Sequence, residues 1–212
     1  MDLTRAMIGL QRAGHYAEAL PLAERAESLS EQNLGPDHQT VALYLEQLAW
    51  LHQMVGNRAK AEPLFQRALA IQSQIKSGEH VAAATTSYKL ALLYRSMGRD
   101  REAEKLLKRA AAIRAKALGP KHPGVATVVG ALARLYQDQG LYEKAEPLFI
   151  QALAIEESQP GVTHPALKAT LEHYAKLLRD TNRPEQAAQV EARAKAVSGK
   201  VSSGAAKGSS DR

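Results

Sequence analysis

Residues 61–71 read AEPLFQRALAI, and residues 145–155 read AEPLFIQALAI. The two copies lie 84 residues apart, and residues 103–113, halfway between them, read AEKLLKRAAAI. The chain therefore repeats itself with a period of 42 residues. Self-similarity at such a period predicts stacked supersecondary units, each of which is unable to bury its apolar face alone.

Columns of equivalent residues follow this period along the chain. The glycine column consists of Gly14, Gly56, Gly98 and Gly140, and its fifth place is taken by Asn182. The histidine column consists of His38, His80, His122 and His164. Alanine columns begin at Ala19, Ala26 and Ala49. Small residues at fixed places predict close helix crossings, which a bulkier side chain would overpack.

Each unit reads as two helices. Apolar residues between Leu45 and His52, and again between Ala61 and Ile71, follow the i, i+3, i+4, i+7 spacing of an amphipathic helix. The glycine column lies between the two helices and predicts a helix end in the left-handed conformation, where asparagine is the next choice. We therefore predict an all-α fold of helix pairs.

Composition limits the function. The chain has 212 residues, no cysteine and a net charge of +6. The absence of cysteine excludes disulfides, thiolate metal sites and a cysteine nucleophile. The charge is modest, so strong nucleic-acid binding is not implied. No run of 18 apolar residues and no signal peptide is visible, and we expect a cytoplasmic protein.

We predict no catalytic site, cofactor or metal. The histidine column is the tempting case, but equivalent residues in stacked units lie on the order of 10 Å apart, which is too far to share one ion. A connector role, such as capping the following helix, is the expected one. None of the hydrolase, dinucleotide-binding or phosphate-loop motifs is complete in this sequence.

The internal pattern resembles a known repeat family. Leu48, Ala49, His52, Gly56, Ala61 and Ala68 have the spacing of a tetratricopeptide repeat (TPR). The phrases LGPDH, LGPKHPGVAT and ALARLYQDQGLYEKAEPL are similar to the 42-residue kinesin light chain type of that repeat. The resemblance runs from about Leu3 to Val197. It implies a right-handed α-solenoid of stacked antiparallel helix pairs and a role in partner binding.

The expected domain organisation is one TPR array, 1–197, followed by a disordered Gly/Ser/Lys tail, 198–212. The array divides into a partial repeat 1–33, complete repeats 34–75, 76–117 and 118–159, and a degenerate terminal repeat 160–197.

The resemblance also implies a concave groove lined by the first helix of each repeat. Transferred by register, the predicted groove residues are Glu46, Trp50, Gln53, Tyr88, Lys89, Arg95, Arg134, Gln137, Lys176 and Arg179. Trp50 and Tyr88 are predicted to anchor a peptide, and the arginines and Lys176 to hold carboxylates of an acidic ligand. The Asn-Asn pair of kinesin light chain repeats is replaced here, for example by Glu46-Gln47, so kinesin-type cargo recognition is not carried over.

Three classes of function remain open. The leading hypothesis is a non-enzymatic adaptor that binds a protein or peptide, with no membrane partner. A nucleic-acid-binding helical repeat is a second reading, which the pI near 9.5 permits but the interspersed acids and few aromatics disfavour. The third is a self-assembling array, in which an apolar flank of the truncated first repeat, near Met7, Ile8 and Leu10, docks on another chain or on a missing upstream segment.

Overall fold

A computed structural model describes residues 3–74, 81–158 and 165–207, with side chains described up to Val197. The described residues form ten α-helices and no strand, so the all-α prediction is confirmed. The helices are α1 Leu3–Arg12, α2 Tyr16–Leu34, α3 Gln39–Met54, α4 Arg58–Gln74, α5 Val81–Ser96, α6 Asp100–Leu118, α7 Pro123–Asp138, α8 Tyr142–Glu157, α9 Pro165–Asp180 and α10 Pro184–Lys207.

The chain forms two compact units, Met1–Ile113 (unit 1) and Arg114–Arg212 (unit 2). The boundary falls inside α6, close to the predicted end of the second complete repeat. In unit 1, successive helices from α1 to α5 pack in order, and the first helices α3 and α5 also contact each other. In unit 2, helices α7 to α10 pack in order, and α7 contacts α9. Both units therefore consist of stacked helix pairs, as the period predicts.

The left-handed helix ends are confirmed at the glycine column and at its asparagine. Gly56 has φ 84° and Asn182 has φ 58°. At both sites the next amide reaches back over the helix end, Asn57 N to His52 O at 2.8 Å and Arg183 N to Leu178 O at 2.8 Å. The same hydrogen-bonded end is thus built with either residue, because both tolerate the left-handed conformation.

The connector histidines cap the helices that follow them. His38 accepts a hydrogen bond from the amide of Thr40 at 3.1 Å, and His122 accepts one from the amide of Gly124 at 3.0 Å. The capping prediction is confirmed at these two places. His80 and His164 lie outside the described residues.

The alanine columns are buried in the packing between the helices. Ala61, Ala103 and Ala145 are completely buried, and so are Ala68, Ala110 and Ala152. Phe65 and Phe149 of the same helices are also fully buried. No side chain at these alanines can grow without displacing a neighbouring helix.

The two termini differ from the sequence-based expectation. Met7 is only 2% exposed and belongs to the core of unit 1, so it is not part of an open flank, whereas Ile8 is 39% exposed. At the other end α10 continues to Lys207, although a disordered tail was expected from Ser198. The segment 198–207 contains three serines and two glycines, and the helix reaches it from turns that are already formed, since propagation is cheaper than nucleation. Residues 208–212 of the expected tail lie outside the described residues.

Candidate functional site

The predicted groove residues lie on α3 and α5 in unit 1 and on α7 and α9 in unit 2. Their accessibility divides them into three groups. Lys176 and Arg179 are exposed, while Trp50, Gln53, Tyr88, Lys89, Arg95 and Arg134 are partly exposed. Glu46 and Gln137 are buried, at 6% and 5% exposure. The last two are therefore not accessible to a ligand in this structure.

Glu46 is held between α3 and α5. One carboxylate oxygen accepts a hydrogen bond from the ammonium of Lys89 at 2.7 Å, and the other accepts one from the hydroxyl of Thr86. Thr86 is completely buried. Two predicted groove residues, Glu46 and Lys89, are thus paired with each other, so the Lys89 ammonium already has a counter-ion on the face of unit 1.

Trp50 packs against the preceding repeat. Its ring meets the ring of Tyr16 edge to face, with centroids 5.3 Å apart and planes at 85°. Both rings border the cluster formed by Met7, Ala19, Ala23, Leu48 and Leu51. Trp50 therefore contributes to the stability of unit 1 as well as to its surface.

Two of the predicted groove residues in unit 2 have partners in the same unit. Gln137 on α7 donates a hydrogen bond to the backbone carbonyl of His173 on α9 at 3.0 Å. Arg179 forms an ion pair with Glu191 of α10 at 3.0 Å. Arg134, which is partly exposed, and Lys176, which is exposed, occupy equivalent positions 42 residues apart.

Sequence reasoning missed a recurring ion pair that joins consecutive repeats. Arg99 contacts Glu62 at 2.7 Å in unit 1, and Arg183 contacts Glu146 at 2.7 Å in unit 2. Both members of the second pair lie 84 residues after their counterparts. Hydrogen bonds from Arg183 lower the pKa of Glu146. The sequence does contain the charges of both pairs at matching places in the repeats. The two partners of each pair, however, are 37 residues apart, so a comparison of residues one repeat length apart does not bring them together.

A polar column, buried at three of its four places, lies in the last two turns of α2, α4, α6 and α8. It consists of Ser30, Gln72, Arg114 and Glu156. Arg114 donates to the carbonyl of Gly124 at 2.8 Å, and one oxygen of Glu156 accepts from the hydroxyl of Thr170 at 3.2 Å. Burial raises the pKa of Glu156, which has no cation among its described hydrogen-bond partners.

Two further kinds of feature are absent from the described residues. No group of three or more His, Asp or Glu side chains there has the arrangement of a metal site. None of the described helices combines the length and the hydrophobicity that a membrane span requires.

Comparison with known proteins agrees with this architecture. The tetratricopeptide repeat family model matches four overlapping stretches, residues 8–74, 53–116, 82–155 and 125–198. No curated protein matches the sequence significantly.

Several solved structures are similar along nearly the whole chain. A putative kinesin light chain with nearly identical TPR-like repeats from Podospora anserina is 26% identical, with a TM-score of 0.78 and 94% of each chain covered. A single-substitution variant of that protein is 25% identical, with a TM-score of 0.80 and the same coverage. BtubC (BKLC) from P. vanneervenii shares the fold at 22% identity, a TM-score of 0.84, and coverage of 94% of this chain and 80% of that one. The chain belongs to the tetratricopeptide repeat family, and its repeats are of the kinesin light chain-like kind.

Proposed function

We propose that this chain is a non-enzymatic interaction module that binds a peptide or an extended segment of a protein partner along the exposed face of its first helices. Tetratricopeptide repeats are in general scaffolds for protein interaction. The proposal rests on one observation above all. Adjacent first helices of unit 1 carry accessible apolar and aromatic side chains, with Leu43 47% exposed and Tyr88 partly exposed.

The accessible residues favour different ligand chemistry in the two units. In unit 1, Leu43 and Tyr88 suit an apolar or aromatic side chain, since aromatic anchors dominate many interfaces. Lys89 there is already paired with Glu46. In unit 2, Arg134 and Lys176 suit a carboxylate. An acidic ligand is therefore proposed for the face of unit 2, and an apolar one for the face of unit 1.

Peptides selected from a random display library against the whole chain test this proposal. Their affinities are then measured by fluorescence anisotropy for the parent and for two variants. We expect Tyr88→Ala to weaken apolar peptides about tenfold, which corresponds to about 1.4 kcal/mol. We expect Arg134→Glu with Lys176→Glu to weaken acidic peptides at least as much, and more at low salt.

The control is a second charge reversal, Arg101→Glu with Lys105→Glu, at exposed positions of the second helix α6. It changes the net charge as much as the unit 2 variant does, but it leaves the first helices intact. Peptides that bind all of these proteins equally would contradict the proposed face. Trp50→Ala is a poor probe, because it also removes the packing against Tyr16.

A further inference from the structure

All exposed charged residues of helix α6 are cations. Four of them, Arg101, Lys105, Lys108 and Arg109, lie in the part of the helix that belongs to unit 1. At 3.6 residues per turn these four fall within an arc of about 100°, and they extend over about 12 Å of helix. We call them the basic face of α6.

The acids of α6 lie outside that arc. Asp100, Glu102 and Glu104 are only partly exposed. Glu102 accepts a hydrogen bond from Arg99 at 2.9 Å, and Glu104 pairs with Lys108 at 2.6 Å. Acids and bases are mixed in the sequence of this helix, but the fold separates them, so that the basic face itself contains no acid.

Three cations of the basic face are not required by the fold. The equivalent places in other repeats are also exposed but carry no cation. They are Ala17, Ala59 and Glu143 for Arg101, Pro21, Pro63 and Pro147 for Lys105, and Glu24, Gln66 and Ile150 for Lys108. Because the second helices α2, α4 and α8 form without these cations, the charge of α6 has another reason than folding.

Arg109 differs from its equivalents in the partner that it contacts. Arg67, at the equivalent place in α4, forms an ion pair with Glu31 at 2.7 Å. An equivalent ion pair recurs between α8 and α10. Arg109 makes the same contact with Ser73, which takes the place of that glutamate and accepts a hydrogen bond at 3.1 Å. The contact is thus kept in this repeat, but the counter-ion is replaced by a neutral hydroxyl group.

The chemistry of the basic face favours a polyanion that needs no apolar contact. Arg101, Lys105 and Arg109 form no ion pair with a carboxylate in the part of the chain that the structure describes. Ala112 is the only exposed apolar residue from Arg101 to Ile113. Protein interfaces and membrane surfaces depend on apolar anchors, and single-stranded nucleic acids depend on aromatic side chains for stacking. The phosphates of a duplex are bound by cations alone.

We propose that the basic face of α6 binds the phosphate backbone of double-stranded nucleic acid, without reading its base sequence. The whole chain has a net charge of only +6, but α6 has six cations and three acids, a net charge of +3, so half of that charge lies on one helix. The guanidinium groups of Arg101 and Arg109 suit phosphate oxygens, because they can donate two parallel hydrogen bonds. The face lies on a second helix, and the proposal does not depend on the first-helix face proposed for peptides.

Binding of a short fluorescein-labelled DNA duplex to the whole chain, followed by fluorescence anisotropy, tests this proposal. We expect a Kd of about 10 µM at about 50 mM salt. If about three phosphates are neutralised, the affinity should fall about 60-fold when the salt is raised to about 200 mM. A duplex of the same length and a different sequence should bind equally well, because base edges are not contacted.

Arg101→Ala with Lys105→Ala is the test variant, and Arg58→Ala with Lys60→Ala is its matched control. Both remove two exposed cations from a second helix, but the control changes α4 and not α6. We expect the test variant to reduce the slope of log affinity against log salt by about two, and the control to leave it unchanged. Arg101→Lys with Lys105→Arg keeps both charges and should bind as the parent does, which separates loss of charge from loss of fold.

A loss of duplex binding in the test variant alone supports the proposal. Equal losses in the test variant and the control would mean that the overall positive charge attracts the duplex, and they would overturn it. The absence of salt-dependent binding by the parent also overturns it. A polyglutamate peptide that binds the basic face more tightly than the duplex does would assign the face to an acidic protein, and this result excludes the proposal as well.

Discussion

Arg183 donates hydrogen bonds to both carboxylate oxygens of Glu146, at 2.7 and 2.9 Å, across the junction between α8 and the start of α10. Glu146 also accepts a hydrogen bond from the hydroxyl of Tyr174 on α9 at 3.2 Å. One carboxylate thereby ties together three helices of unit 2. The geometry is bidentate, which is the arrangement in which a partly exposed ion pair contributes to stability.

Arg183→Ala is expected to destabilise the protein by about 1 kcal/mol at pH 7. The ion pair lowers the pKa of Glu146 in the folded state. Its contribution to the free energy of unfolding is therefore fully present above the unfolded-state pKa of 4.5, and it is lost as the pH falls through the lower folded-state pKa. The difference between parent and variant in urea unfolding should therefore shrink below about pH 4.

Arg193→Ala is the matched control for that experiment. Arg193 pairs with Glu157, and both side chains are more exposed, at 51% and 41%. We expect a loss of less than about 0.5 kcal/mol at any pH, because solvent screens the pair. Equal losses for the two variants at pH 7 would show that the bidentate geometry at Glu146 adds nothing.

The left-handed helix ends predict substitution effects of opposite sign at Gly56 and Asn182, and Gly9 inside α1 is the comparison. Gly56→Ala should destabilise the protein by about 1–2 kcal/mol, because alanine is strained at a φ of 84°. Steric overlap adds nothing to this loss, since the added Cβ would meet no atom within 4 Å. Asn182→Gly should stabilise by about 0.5–1 kcal/mol by relieving the same strain. Gly9→Ala, inside α1 and equally open, should stabilise by about 0.5–1 kcal/mol through helix propensity. Thermal unfolding of the three variants measures all these effects, and a stabilising Gly56→Ala would contradict the account.

The helix pairs and their ends could be predicted from the sequence because they depend on local backbone chemistry. A left-handed helix end requires glycine or asparagine wherever it occurs, so Gly56 and Asn182 are readable without coordinates. The accessibility of the site residues could not be predicted in the same way. The contact between Glu46 and Thr86 joins residues 40 apart, which is two fewer than the repeat length. That offset depends on how neighbouring helices are staggered, and no periodicity in the sequence reports it.

Glu156→Gln is expected to stabilise the protein by about 1 kcal/mol at pH 8. Glu156 is 5% exposed, and burial raises its pKa in the folded state. A raised pKa of the buried carboxyl group means that its ionisation opposes folding. The free energy of unfolding therefore falls as the pH rises from the unfolded-state pKa of 4.5 through the higher folded-state pKa. The neutral amide keeps an acceptor for Thr170 and removes the buried charge. The advantage should disappear at about pH 4, where the parent carboxyl is protonated.

The adjacent Glu157→Gln is the control for that prediction. Glu157 is exposed, and its substitution should change the unfolding free energy by less than about 0.5 kcal/mol at either pH. A destabilised Glu156→Gln variant at pH 8 would mean that the charged form makes favourable contacts that outweigh its burial.

Lys89→Ala is expected to destabilise unit 1 by about 2 kcal/mol, because it leaves the buried Glu46 carboxylate without its cation. Lys89 itself is 25% exposed, so water that enters its place moderates the loss. Replacing both members, as Glu46→Gln with Lys89→Met, should restore part of the stability, since the amide can still bond to Thr86 and no charge remains buried. Urea unfolding of the parent, Glu46→Gln, Lys89→Met and the double variant gives the coupling free energy, which we expect to be about 1–2 kcal/mol. Single losses that simply add in the double variant would show that Glu46 and Lys89 act independently, and Lys89 would then be available to a ligand.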